Sequence, residues 1–379
     1  MSTIITSGRV MPRTHESEIG AAWPLDVAAI TLTIGTFLAF SGLSWDVEWH
    51  DKVGPDTFFT LPHLVLYSGV ALGGLSCLFA ALWHAWSQRS ARGLNVPALL
   101  GAAWGAPVGF VISGLGAATF LAFGFFDLWW HTIYGFDVTF ESPPHIGLLL
   151  GVQIMMIGSI TVFAQRVLRA QVRRAWAWPV IGLAAATAIA LGGSLPFQTI
   201  VPPFLLIFAT YKLTAALIYV AALLMVVSVV RQPGAATMLG LLFVLLRAIT
   251  WAFTMWATPV YAASLDLFMR DNINSFPGMP DMMPPALLLT GALVDLSLAV
   301  ARRRGMAVRP AVLITGALAG LLMAWLYQPQ VFSAPEILPY IAQMLPPTLI
   351  LAPAVGALAG LAGSLAYCCA AAPISPIAD

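Results

Sequence analysis

Charge is what this chain has least of. Only 9% of its residues are Asp, Glu, Lys or Arg, 60% are hydrophobic, and the mean hydropathy is +0.88. A soluble globular domain is excluded, because such domains carry charge on about a quarter of their residues. The net charge of +1 provides no basic surface, so no nucleic-acid partner is expected. Cysteine is scarce as well: Cys77 sits inside an apolar run and Cys368 and Cys369 are adjacent, which leaves no disulfide framework. Residues 1–20 are polar and lack an apolar h-region, so no cleaved signal peptide is expected. The P-loop, GxSxG, HExxH and CxxC patterns are all missing, and phosphoryl transfer and serine hydrolysis have nothing to stand on.

What the chain has instead is long apolar runs. Ten are readable, at 24–44, 63–86, 98–126, 145–168, 176–196, 203–230, 235–257, 285–301, 308–327 and 347–370. Crossing a bilayer takes about 20 apolar residues. The expectation is therefore an all-α, polytopic membrane helix bundle of about ten transmembrane helices, with the lipid bilayer as its main partner. Thirteen of the seventeen basic residues, among them Arg89, Arg166, Arg231 and Arg302, fall in the tail and loops that share one side. Eleven acidic residues fall on the other side, where only Lys52 and Arg270 are basic. By the positive-inside rule both termini are cytoplasmic, in a multi-pass protein of the cell (inner) membrane.

Every even-numbered run follows proline: Pro62, Pro143–Pro144, Pro202–Pro203, Pro284–Pro285 and Pro346–Pro347. Proline suits a first helical turn, where its missing N–H has no partner to lose. The chain reads as five helical hairpins joined by outward loops. Residues 1–22 and 371–379 are cytoplasmic tails, 23–170 a duplicated metal-binding pair of hairpins, and 171–370 additional hairpins.

The duplication is written in spacing. Asp127, Trp130, His131, Gly135, Asp137 and Phe140 each fall 81 residues after Asp46, Trp49, His50, Gly54, Asp56 and Phe59. Pro144, His145 and Gly151 fall 82 residues after Pro62, His63 and Gly69. Asp and His four apart share one face of a helix. The second His, just behind a proline, opens the next helix. One carboxylate and two imidazoles form a standard set of ligands for a divalent metal, so the candidate ligands are Asp46, His50 and His63 at a first site and Asp127, His131 and His145 at a second. Both sites should lie near the extracytoplasmic face.

Asp56 and Asp137 also repeat and would either orient an imidazole or cap a turn. Glu48, Asp51 and Glu141 do not repeat and read as solvated loop charge. Trp49 and Trp130 fit an aromatic belt or a site wall. Lys212 and Arg247 sit within spans without an acidic partner in sequence; Lys212 has the length to snorkel outward. The fourteen methionines are spread as membrane filler would be.

Ligand type alone does not choose between copper, iron and zinc. The stretch Asp46-Val-Glu-Trp-His50, followed by Asp56-Thr57, Phe59-Thr60, His63, Tyr67 and Gly69, resembles the copper-site stretch of the C-type membrane component of the particulate methane and ammonia monooxygenases. That family has an Asp-x3-His-x12-His copper site and a downstream Asn-x3-His-x13-His site. His131 and His145 match the second spacing, with Asp127 standing where the family commonly has Asn. The resemblance covers roughly residues 40–155.

It implies a copper-binding integral membrane protein, an oxidoreductase component of a copper-dependent monooxygenase acting on a small apolar substrate or ammonia. Asp46, His50 and His63 would hold the catalytic metal, and A- and B-type subunits would be partners. The alternatives are a non-catalytic copper-binding or transport protein and a zinc- or iron-dependent membrane enzyme.

Overall fold

A computed structural model of the chain describes residues 15–54, 57–92, 105–135, 142–173, 177–194, 210–270, 284–327 and 338–371. They form ten helices, with no strand among the described residues. In chain order these are α1 (His15–Lys52), α2 (Leu61–Arg92), α3 (Val108–Tyr134), α4 (Pro143–Arg173), α5 (Ala177–Gly193), α6 (Thr210–Val230), α7 (Ala235–Ser264), α8 (Pro284–Arg303), α9 (Val308–Leu326) and α10 (Leu338–Ala371). Nine are long and apolar enough to cross a membrane; α5, at 17 residues, is shorter. The polytopic helical bundle expected from composition is the fold observed.

Glycine lets the hairpin arms touch. A Cβ on Gly69 would lie 2.3 Å from Ala39 N and 2.7 Å from Gly35 O. A Cβ on Gly151 would lie 2.6 Å from Phe120 N and 2.9 Å from Gly116 O. These are the same contacts in two copies: Gly116 and Phe120 fall 81 residues after Gly35 and Ala39, and Gly151 falls 82 after Gly69. The duplication thus extends from the loops into the helix crossing. Small residues drive such close approach in membranes, where burial of apolar surface distinguishes little between protein and lipid. Further along, Gly240 meets Leu288 across α7 and α8, and Gly316 meets Gly356 across α9 and α10.

Four of the five successive helix pairs pack as hairpins. The third differs: α5 lies mainly on α4 and α7, and α6 on α9 and α10, with little contact between α5 and α6. The proline regularity holds at α2, α4 and α8. It fails at α10, where Pro346 and Pro347 lie inside a helix that begins at Leu338. Pro202–Pro203 lies outside the described residues.

The two intramembrane cations turn inward. Lys212 does not snorkel: its Nζ donates to Ala324 O at 3.2 Å and Tyr327 O at 2.6 Å, pinning the C-terminal end of α9. A cation there complements the partial negative charge of the helix end. The Arg247 guanidinium lies 5.2 Å from the Phe40 ring and 5.3 Å from the Trp251 ring, a packing role between α1 and α7.

Candidate metal centre

The end of α1 carries Asp46 and His50, and the first turn of α2 carries His63. The Asp46 carboxylate Oδ1 is 3.7 Å from His50 Nε2 and 2.9 Å from His63 Nε2. At the second copy, Asp127 Oδ1 is 3.3 Å from His131 Nε2 on α3 and 3.5 Å from His145 Nε2 on α4. In each trio the donor atoms lie within 4.8 Å of one another, so each group can hold a metal ion. All six candidate ligands are therefore brought together as two trios, and none is stranded. The sites share one end of the bundle, and His145 of the second is near enough to Asp46 of the first to act on it electrostatically.

Hydrogen bonds behind the rings fix their chemistry. His63 Nδ1 lies 3.1 Å from Thr57 O, and His131 Nδ1 lies 2.8 Å from Gly135 O. A carbonyl only accepts, so Nδ1 carries the proton. Nε2 is then the atom that faces the carboxylate oxygen, at 2.9 Å and 3.3 Å: with a proton it donates to that oxygen, and without one its lone pair is free to ligate a metal. A backbone carbonyl behind a ligating imidazole is the usual second partner at metal sites, because it sets tautomer and ring orientation. The donor set and its backing therefore fit a divalent ion, with open coordination positions left after three protein ligands.

Local sequence explains the turns. Gly54 and Gly135, which repeat, end α1 and α3 with φ of +104° and +81°. Only glycine takes such angles without strain, and the chain must reverse there to return its second His. Pro62 and Pro144 are both buried at the start of the return helix. Tyr67 stacks on His63 with ring centroids 5.9 Å apart and touches Phe120 of the second copy at 5.7 Å.

Several sequence readings change. Glu48 is not solvated: it is fully buried and paired with Lys52, itself buried. Asp51 is exposed, as expected. Trp49 is fully buried and packs against Tyr261 of α7 at 4.8 Å, so it is a wall and not a belt residue. Asp56, Asp137, Phe140 and Glu141 lie outside the described residues. Sequence reasoning missed Tyr261 and Arg270, which cover the first site from α7 and the arm that follows it. They lie about two hundred positions from the residues they touch, and no local pattern marks them. Comparison with known protein families, with characterised proteins and with solved structures returns no match.

Proposed function

We propose that this chain is a copper-binding membrane protein and a component of a copper-dependent monooxygenase that acts on a small apolar substrate or on ammonia. The observation that carries the metal reading is the pair of convergent Asp–His–His trios, each with an imidazole backed by a carbonyl and aimed at a carboxylate. Copper is favoured over iron and zinc by the resemblance of residues 40–155 to the C-type monooxygenase component. Asp46, His50 and His63 hold the working ion, and Asp127, His131 and His145 a second.

Copper, when bound, supplies the dioxygen reduction that no side chain here offers. The chain's own residues do the rest. Asp46 and Asp127 provide the negative charge that holds a cation. Thr57 O and Gly135 O keep His63 and His131 in the ligating tautomer. Apolar walls such as Tyr67 and Phe120 keep the neighbourhood of the sites poor in water. The acidic loops favour cations and disfavour anionic substrates, so a neutral molecule arriving through lipid suits the site. Monooxygenation requires two electrons from a donor, and A- and B-type subunits are the partners that would deliver them.

The test is metal analysis of the protein isolated from its native membrane, alone and with any subunits that co-purify. The expected result is up to two copper ions per chain, falling to one in Asp46→Ala or Asp127→Ala and to none in the double variant, with O2-dependent product formed only by the copper-loaded complex. Zinc or iron in place of copper refutes the monooxygenase reading. Copper without any O2-dependent product, together with altered copper uptake in cells lacking the gene, supports the transport alternative.

A further inference from the structure

The last turn of a helix leaves four carbonyls without an intrahelical donor. In α1 those belong to Trp49, His50, Asp51 and Lys52, and one of them is a candidate ligand's own backbone. Trp49 O accepts from Val53 N–H at 2.8 Å and Gly54 N–H at 3.0 Å. The other three are served by a single residue far along the chain. Arg270 Nη1 donates to His50 O at 3.2 Å and to Asp51 O at 3.3 Å, and Arg270 N–H donates to Lys52 O at 2.9 Å.

Space has been kept for this contact. A Cβ on Gly54 would fall 2.1 Å from Arg270 Nη2, so the guanidinium lies where any side chain on the helix-ending residue would stand. The arm that delivers it, Leu265–Arg270, leaves α7 through a turn in which Leu265 N–H and Leu267 N–H both donate to Ala262 O. Tyr261 on the same helix takes the Leu61 N–H at 3.4 Å, at the start of α2. Together, α7 and its arm touch both helices that carry the first site's ligands.

The second copy has no such arm among the described residues. Gly135, the counterpart of Gly54, would have nothing within 4 Å of an added Cβ. There His131 is held by its own chain, through Nδ1–H to Gly135 O at 2.8 Å. His50 has the most exposed of the four candidate ligand rings, 35% against 12% for His131. Where its backbone is held therefore weighs on where its ring points.

We propose that Arg270 is a positioning residue for the first metal site, clamping the end of α1 so that His50 faces Asp46 and His63. This rests on the metal reading given above. A planar guanidinium can span two adjacent carbonyls, and its charge strengthens both bonds and complements the helix end.

The probe is Cu(II), added to the full chain in detergent. With the second site emptied by Asp127→Ala, Arg270→Ala should weaken Cu(II) binding at the first site about 10- to 100-fold, the range seen when a ligand's supporting partner is lost. Paramagnetic resonance with 15N-labelled histidine should show one imidazole nitrogen fewer. Arg270→Lys should not restore that nitrogen, since an ammonium is a point donor. With the first site emptied by Asp46→Ala, Arg270→Ala should leave Cu(II) binding at the second unchanged. If Arg270→Ala does not fold, Arg270→Met keeps the apolar stem while removing the guanidinium and should give the same loss. Unchanged affinity with both nitrogens present, or equal loss at both sites, overturns the clamp while leaving the metal reading intact. Absence of Cu(II) binding in the parent chain overturns both.

Discussion

The two copies of the Asp–His–His unit differ in what lies against the helix that carries Asp and the first His. On α1 that face is covered by protein. Trp49 is buried under Tyr261, Trp45 meets Phe253 and Tyr261 at 5.2 and 5.9 Å, and the Glu48–Lys52 pair is shut away beside them. On α3 the positions 81 residues on from Glu48 and Lys52 are Trp129 and Ile133, and they are 52% and 54% exposed. The polar pair stands where protein covers it, and the large apolar side chains stand where lipid would meet them. Lipid supplies no counter-ion, so an ion pair on the open copy would cost far more than an indole and a butyl group. The donor geometry needs only a hairpin with a glycine turn; among the described residues, α7 covers the first copy and nothing comparable covers the second.

Both copies should present their loops on one side of the membrane, and the sharpest test of that is all or none. In a chain with Cys77 replaced by Ala and Cys368 and Cys369 by Ser, single cysteines at Asp51, at the end of α1, and at Thr139, between α3 and α4, should each react with a membrane-impermeant thiol reagent in intact cells. Labelling of one and not the other would break the parallel repeat. Labelling of neither until the cells are opened would reverse the orientation drawn from the basic loops.

A graded test follows from the buried pair. Glu48→Ala leaves Lys52 buried without its partner and should destabilise the chain by about 3–5 kcal/mol, read as a drop in thermal unfolding temperature in detergent. Trp129→Ala, at the matching place on the open copy, should cost less than about 1 kcal/mol, as changes at exposed positions do. Replacing both charges with apolar residues of similar size, Glu48→Leu with Lys52→Met, should recover most of the loss. Equal costs at Glu48 and Trp129 would mean that α7 does not cover α1 in the way described.

Much of this was legible in the sequence, for physical reasons. Spans announce themselves by composition, because a bilayer tolerates few charges. The six ligands, and Gly54 and Gly135 between them, were legible because they repeat with their spacing; the positive φ that demands glycine at both positions came from the structure. The readings that failed depend on contacts distant in sequence. Glu48 looks solvated until α7 is placed over it, Lys212 looks free to snorkel until Ala324 O and Tyr327 O are found beside it, and Arg270 is one more loop arginine until it meets His50 O. Pro346 and Pro347 misled because prolines can also sit within a membrane helix when neighbouring helices compensate for the lost bond.

The smallest expected effect concerns the residue just ahead of each return helix. Thr60 and Ser142 are counterparts at an offset of 82, and both are buried. The Thr60 hydroxyl accepts from Thr57 N–H at 2.7 Å and donates to Thr57 O at 2.7 Å, closing the turn whose carbonyl, Thr57 O, also receives His63 Nδ1–H. The Ser142 hydroxyl has no hydrogen-bond partner among the described residues. Thr60→Ala should therefore cost about 1 kcal/mol, the ordinary net worth of such a bond, and leave Thr57 N–H without that acceptor. With Thr57 O less firmly placed, His63 loses orientation, and Cu(II) affinity at the first site should fall by about tenfold, the lower end for a supporting partner. Ser142→Ala removes no hydrogen bond made among the described residues, so unfolding temperature and second-site affinity should barely move. Thermal unfolding and Cu(II) titration of the two variants side by side would decide it. Equal responses would show that the turn ahead of α2 does not set His63 and that the two copies are supported alike.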